Sequence, residues 1–295
     1  MDLIKRVVVL SALAWALALG IGAFASGRET SATGRLAVVA TTPQVADLVR
    51  SAGGERVRVT QLLAANADPH EHELRPSDVD ALAHARVAIR SGGEVDAWAD
   101  GLEGPEPVAL LDHVIRRGDD PHWWQDPRNA LPALAAIRDA LTAADPGGRD
   151  DYAAATEAAS RRVRALDAAI ERCWAAVAPA DRTLVSSHDS YGYYAARYGL
   201  RVLGSVIPSL SSGGQPSAGE TDRLVRAIRR HHVRAIFAER GLNARLERAI
   251  AAEGGATLGR PLQGDAPSKP YLEALGADTQ SLVDGVAGRH VDCGL

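Results

Sequence analysis

The sequence predicts an α/β fold of two lobes, each a parallel sheet wrapped by helices, joined by one long rigid α-helix. Three observations predict it. Short apolar runs rich in Val, Leu and Ala alternate with amphipathic helical patterns, the order that gives a parallel sheet covered by helices. The longest uninterrupted helical pattern, residues 150–177, lies at mid-chain. The strand–helix alternation then starts again after it. The resulting division is 1–25, 26–149 for a first lobe, 150–178 for the connecting helix and 179–295 for a second lobe.

Residues 1–25 read as a signal peptide. Lys5 and Arg6 form a basic lead, residues 7–25 are apolar or small, and Ala23-Phe24-Ala25 fits a small-x-small cleavage site before Ser26. The alternative is an uncleaved anchor, because the apolar run is long for a signal peptide. No cysteine follows the run, so no lipid anchor is indicated, and nothing later is long and apolar enough to span a bilayer. The protein is expected to be exported, to a periplasm or another extracytoplasmic space.

After a polar lead-in over 27–34, Leu36-Ala37-Val38-Val39-Ala40 reads as a buried strand. Pro43 suits the first turn of a helix, and Val45, Leu48 and Val49 supply its apolar stripe. Residues 57–63 form a second strand and lead into the loop that carries Asp68-Pro69-His70. Pro76-Ser77-Asp78 opens a helix with Ser77 as its N-cap. Val87-Ala88-Ile89 is a third strand, followed by a short helix over 95–98 and a fourth strand over 108–111. A loop dense in Asp, Pro, Trp and His runs from Asp119 to Asn129, and a helix over 130–143 follows.

The mid-chain pattern places Val163, Leu166, Ile170, Cys173, Trp174 and Val177 at helical spacing with charges between them. At 1.5 Å per residue it spans roughly 40 Å, more than one small domain needs. The alternative is a helix packed along a single domain. Beyond it, Thr183-Leu184-Val185 is a strand that leads to His188, and a helix covers 191–198. A strand at Arg201-Val202-Leu203, an irregular Ser/Gly/Pro loop over 205–217 and a helix over 220–231 come next. Ala235-Ile236-Phe237-Ala238 is a strand ending at Glu239, and Asn243 can cap the next helix, closed by Gly254 and Gly255. Ala256-Thr257-Leu258 is a short strand, 259–269 a polar loop, and Leu272, Leu275, Leu282 and Val286 mark a final helix.

With 46% hydrophobic residues the chain can fill two cores of ordinary domain size. A net charge of −4 offers no basic footprint for nucleic acid. Cys173 and Cys293 are the only cysteines, too few and too far apart for a thiolate zinc site. They could form a disulfide outside the cytoplasm or stand as two thiols.

The chemistry concentrates on three histidines. The tripeptide Asp-Pro-His occurs twice, at His70 and His122, and His188 sits in Ser186-Ser187-His188-Asp189 at a strand end. In parallel sheets, ligands sit beyond the carboxyl ends of the strands, which is where His70 and His188 fall. Neutral imidazole is a good zinc ligand, and three histidines commonly form the core of a four-coordinate site. Asp120 and Asp189 are placed to orient imidazoles from behind. His231-His232 read as a helix C-terminus, since adjacent helical residues point apart. His84, His113 and His290 lack supporting neighbours. A Ser-His-Asp hydrolase is disfavoured, because Ser187, His188 and Asp189 are adjacent and no Gly-x-Ser-x-Gly elbow occurs.

These residues resemble the metal-binding proteins of bacterial ABC importers for zinc and manganese, the group whose two lobes are joined by one long helix. The resemblance covers nearly the whole chain after residue 25. It is carried by Asp68-Pro69-His70, Leu74-Arg75-Pro76-Ser77-Asp78, Asp120-Pro121-His122-Trp123 with Asp126-Pro127 and Asn129, and Ser187-His188-Asp189 with Tyr191-Gly192-Tyr193-Tyr194. Tyr198-Gly199-Leu200, Gln215-Pro216-Ser217 and Ile236-Phe237-Ala238-Glu239 also fit. It implies that His70, His122 and His188 ligate the metal, and that histidine at position 188 places the chain in the zinc branch, with Mn2+ the less favoured ion. Two departures matter. His72 stands where the family usually has an aromatic residue. The family's aspartate from the last lobe is expected at the place of Arg260, leaving the fourth ligand to water, Asp265, Glu239 or Glu71.

The leading reading is an exported monomer, not an enzyme, that captures Zn2+ and delivers it to an ABC-transporter permease, with a metallochaperone as a further partner and no role for nucleic acid. The alternatives are a three-histidine zinc hydrolase, which would need an open coordination position and a general base, and a metal-binding adhesin on the same scaffold.

Overall fold

The computed structural model describes residues 34–295, so the signal-peptide reading falls outside the described residues. Leu36–Leu295 pack as one compact unit.

The first sheet is built from β1 (Leu36–Ala40), β2 (Val57–Gln61), β3 (Val87–Arg90) and β4 (Val108–Ala109). All pairings are parallel, in the order β2-β1-β3-β4. Val38 lies beside both Val59 and Val87. Val38, Val39 and Ala40 are buried on both faces of β1, as a central strand with helices above and below requires. The helices of this half are α1 (Pro43–Gly53), α2 (Pro76–Ala83) and α3 (Ala130–Ala144).

Two local expectations are corrected. Ser77 is not the N-cap of α2. Pro76 takes the first helical position, where its fixed φ fits and its missing N–H is not needed, so Arg75 caps. The Asp78 carboxylate accepts from the Arg75 backbone N–H at 3.0 Å. The fourth strand stops at Ala109, and the buried Leu110 and Leu111 belong instead to a single 3₁₀ turn, Leu110–Asp112.

The long helix α4 runs Arg149–Ala175, 27 residues and about 40 Å. Its buried stripe includes Tyr152, Thr156, Ala159, Val163, Ile170 and Trp174. It packs on α1 and α3 from the first half, and on α5 (Gly192–Tyr198) and α8 (Tyr271–Ala287) from the second. Cys173, near its end, is disulfide-bonded to Cys293.

The second half repeats the parallel pattern with β5 (Thr183–Ser186), β6 (Arg201–Ser205), β7 (Ala235–Ile236) and β8 (Thr257–Leu258). β5 pairs with β6 and β7 with β8, each in parallel. The Phe237 N–H donates to the Val185 carbonyl at 3.0 Å, tying the two pairs together. The remaining helices are α6 (Ala218–Arg230) and α7 (Arg245–Gly254). α6 has Ser217 and Glu220 in a reciprocal cap. A local core of Val185, Val206, Leu224, Ile228, Ile236 and Ile250 holds these elements together.

Candidate metal centre

Each histidine is presented by a different local device. β2 ends at Gln61, and the Leu62 and Leu63 N–H groups still bond to the Ala40 and Thr41 carbonyls before the chain leaves the sheet. Pro69 then opens a single 3₁₀ turn, and the Asp68 carboxylate accepts from the His70 N–H at 2.9 Å. The second Asp-Pro-His repeats the hydrogen bond, with Asp120 Oδ1 accepting from the His122 N–H, also at 2.9 Å, while its 3₁₀ turn starts after the histidine, at Trp123. A recurring tripeptide therefore produces a recurring hydrogen bond, since proline sets the backbone and the short aspartate reaches the N–H two residues on. At His122 the same oxygen also stands 2.8 Å from Nδ1 of the ring, which fixes how the imidazole faces. Trp123, fully buried, anchors the loop by donating from Nε1 to Ser91.

His188 follows β5. Ser186 donates to the His188 carbonyl, and Ser187 donates to Glu247 beneath it. Asp189 does not lie behind the imidazole as the sequence suggested. It is exposed, and Glu239 takes that place, with Oε1 3.0 Å from His188 Nδ1.

The three rings converge with centroids 5.2 to 5.8 Å apart. Asp265 completes the group. Its Oδ2 lies 3.3 Å from His70 Nε2, 3.5 Å from His122 Nε2 and 3.0 Å from His188 Nε2. The His122 and His188 Nε2 atoms are 3.4 Å apart. Tetrahedral zinc with bonds of about 2.0–2.1 Å has ligand atoms about 3.3–3.4 Å from one another. His70 Nε2 is buried with no hydrogen-bond partner and stands 3.3 Å from Asp265 Oδ2, which leaves a donor nitrogen facing into the group. Three imidazoles and one carboxylate fit a divalent metal ion.

The expectation that Arg260 stands where the family's aspartate does is corrected. Arg260 is largely exposed and pairs with Asp284 on α8 at 2.8 Å. The loop then makes a parallel bridge between Leu262 and Glu239. Gly264, at φ 64°, turns it so that Asp265 points inward. Glu71 is exposed, and Glu239 sits behind His188 rather than among the converging atoms. His72 tilts against Trp98 with centroids 4.3 Å apart, so it packs as an aromatic residue would. His84, His113, His232 and His290 are exposed.

Charge in the site is held by protons. Burial works against a charged His122, yet Asp265 and Asp120 outweigh it and raise its pKa to about 9. Burial likewise opposes charge on His188, and Glu239 and Asp265 carry its pKa well above the usual value. Burial would raise Asp265, but the two neighbouring imidazoliums hold it well below the ordinary carboxylate range. The cluster of carboxylates thus requires positive charge, from protons or from a metal cation.

A family model described as "Zinc-uptake complex component A periplasmic" matches residues 38–285. The manganese-binding lipoprotein MntA of Halalkalibacterium halodurans is 28% identical over 273 residues, covering 89% of each chain. The high-affinity zinc uptake system protein ZnuA of Paracoccus denitrificans is 30% identical over 267 residues, covering 74% of this chain and 78% of its own. The solved structure of the periplasmic zinc-binding protein TroA from Treponema pallidum superimposes with a TM-score of 0.79 at 22% identity, over 86% of this chain and 99% of that one.

Proposed function

This chain belongs to the family of periplasmic component A proteins of zinc-uptake complexes, and from that premise we propose that it captures Zn2+ outside the cytoplasm and delivers it to a membrane permease. The family consists of non-enzymatic solute-binding proteins of ABC importers that carry a metal ion. The ion is cargo, and His70, His122, His188 and Asp265 are its ligands.

One observation carries the choice of ion. The donor set is three nitrogens and one carboxylate oxygen within 4.8 Å of one another, with Asp265 Oδ2 3.0 to 3.5 Å from each nitrogen and the His122 and His188 nitrogens 3.4 Å apart. Nitrogen-rich four-coordinate sites suit zinc, whereas manganese favours oxygen donors and octahedral geometry. A fourth protein ligand also argues against hydrolytic chemistry, which keeps one coordination position open for water. Further support comes from the zinc-uptake relative, while the manganese-binding relative makes Mn2+ the competing reading.

The reading extends to the chain's organisation. We hold residues 26–149 and 179–295 to be two lobes with α4 as the strut between them, and residues 1–25 to be a signal peptide cleaved after Ala25. The experiment is metal analysis of the purified protein, followed by competition of Zn2+ against Mn2+ and Fe2+ for the apo form. One tightly held zinc ion per chain is expected. Preferential retention of manganese or iron under equal competition would overturn the zinc assignment.

A further inference from the structure

We infer that Glu239 is a positioning residue that locks two ligands from separate parts of the chain, His188 and Asp265, into one geometry and thereby sets how tightly the ion is held. This rests on the metal-capture reading above.

Glu239 closes the strand end after β7, and its side chain is 3% exposed. Among the described residues its only ion-pair contact is His188; no arginine or lysine neutralises it. Oε1 stands 3.0 Å from Nδ1 of that ring, on the opposite side from the Nε2 that faces Asp265. The contact is an ion-pair approach rather than an aligned hydrogen bond. The charge of the carboxylate is therefore its main effect on the ring. Negative charge beside Nδ1 keeps the proton on that nitrogen and leaves the Nε2 lone pair for the ion. Ser190 Oγ donates to the same carboxylate oxygen at 3.2 Å and helps to hold it in place.

The second grip is on the loop that brings Asp265. The Glu239 backbone bridges to Leu262, flanked by two bonds: Leu262 N–H to the Ala238 carbonyl at 2.9 Å, and Arg240 N–H to the Leu262 carbonyl at 2.8 Å. Gly264, the residue before Asp265, lies so close that a Cβ there would fall 2.5 Å from Glu239 Oε2. The carboxylate thus fills the space against which the turn to Asp265 is made. Asp120 performs the ring-orienting task for His122, but it lies within that ligand's own turn. Glu239 is the group that joins the strand end carrying His188 to the loop carrying Asp265.

The test compares Glu239→Gln, which keeps the shape and removes the charge, with the unmodified chain and with Asp189→Asn. Asp189 is adjacent to His188 but exposed, so its loss of charge serves as the control. Zn2+ affinity is read by competition with a chromophoric chelator, Co2+ bound in place of zinc reports coordination through its visible spectrum, and melting of the apo forms reports stability. Glu239→Gln is expected to weaken zinc by about 10–100-fold and to alter the Co2+ spectrum, with a fall in apo stability that is smaller than the loss of zinc affinity, because a protonated His188 loses a partner. Asp189→Asn is expected to match the unmodified chain. Zinc affinity unchanged in Glu239→Gln overturns the inference. So does a loss matched by an equal fall in apo stability, since that is a structural role only. Failure of the unmodified chain to bind zinc overturns the capture reading itself, and the inference with it.

Discussion

Oδ2 of Asp265 stands 3.3 Å from Nε2 of His70, although the two residues come from opposite halves of the chain. The same oxygen is 3.5 Å from His122 Nε2 and 3.0 Å from His188 Nε2, so the carboxylate reaches all three imidazoles at close range. Asp265→Ala is accordingly expected to weaken zinc as much as His122→Ala does, by more than about 100-fold, since loss of a ligand exceeds loss of a supporting group. Chelator competition with both variants measures this. An Asp265→Ala protein that kept affinity within a few-fold of the unmodified chain would mean that the oxygen is replaceable by water.

Zinc capture should release protons over a range set by the site, not by free histidine. The ligating nitrogens must be neutral, and His122 holds its proton up to about pH 9 because Asp265 and Asp120 overcome its burial. Apparent affinity is expected to rise with pH until about 9 and to flatten above it. At pH 7.5, calorimetry in buffers of different ionisation enthalpy should show at least one proton released per zinc ion. Affinity that is already flat between pH 7 and pH 9 would contradict the assignment. The sign for the apo protein is opposite. A histidine whose folded pKa is raised contributes stability that is complete below about 6.5 and is lost as pH rises through about 9. Apo melting should therefore fall across that window.

Asp278 supplies a second pH dependence. This buried residue of α8 accepts from the Gln263 N–H at 2.7 Å and from the Tyr191 hydroxyl at 3.1 Å. Burial pushes its pKa up to about 7, against the hydrogen bonds that favour the charged form. Because the folded value exceeds the unfolded one of about 3.9, its contribution is complete below about pH 4 and is lost as pH rises through 7. Asp278→Asn keeps an acceptor for Gln263 and removes the charge. It is expected to melt a few degrees higher than the unmodified chain at pH 8, with a smaller gain or a loss at pH 5. An equal shift at both pH values would exclude titration of Asp278 as the cause.

The sequence and the site agree where local chemistry decides. Both Asp-Pro-His turns form because proline and aspartate act within three residues, and His188 follows a strand whose apolar run is unmistakable. Asp265 lacked any such signal. It is brought in by a bridge from Leu262 to Glu239 and a left-handed turn at Gly264, both tertiary outcomes, so sequence position alone puts Arg260 at the family aspartate's place and leaves Asp265 as one candidate among several. The same reason explains Asp189 and Glu239. Adjacency favoured the first, but the side chain following His188 points to solvent, and the carboxylate behind the ring arrives from β7. The elevated pKa of His122 was equally invisible, because it depends on three groups meeting in a buried space.

The last prediction concerns rigidity. α4 touches α1 and α3 on one side of the sequence and α5 and α8 on the other, so no flexible linker separates the two halves. The start of α8 is also tied directly to the first half: the Tyr271 N–H donates to Asp47 on α1 at 3.0 Å, and its hydroxyl donates to the Trp124 carbonyl at 2.7 Å. Hinge closure would have to break both bonds and shear the packing along α4. Solution scattering of the apo and zinc forms should therefore nearly superimpose, with change confined to loops such as those bearing His70 and Asp265. Tyr271→Phe removes one buried bond and strands the Trp124 carbonyl, at a cost of about 1–3 kcal/mol. It should lower apo melting while leaving the two scattering curves alike, because the packing of α4 persists. A marked compaction on zinc binding in the unmodified chain would show that the halves close like a hinge and that α4 bends.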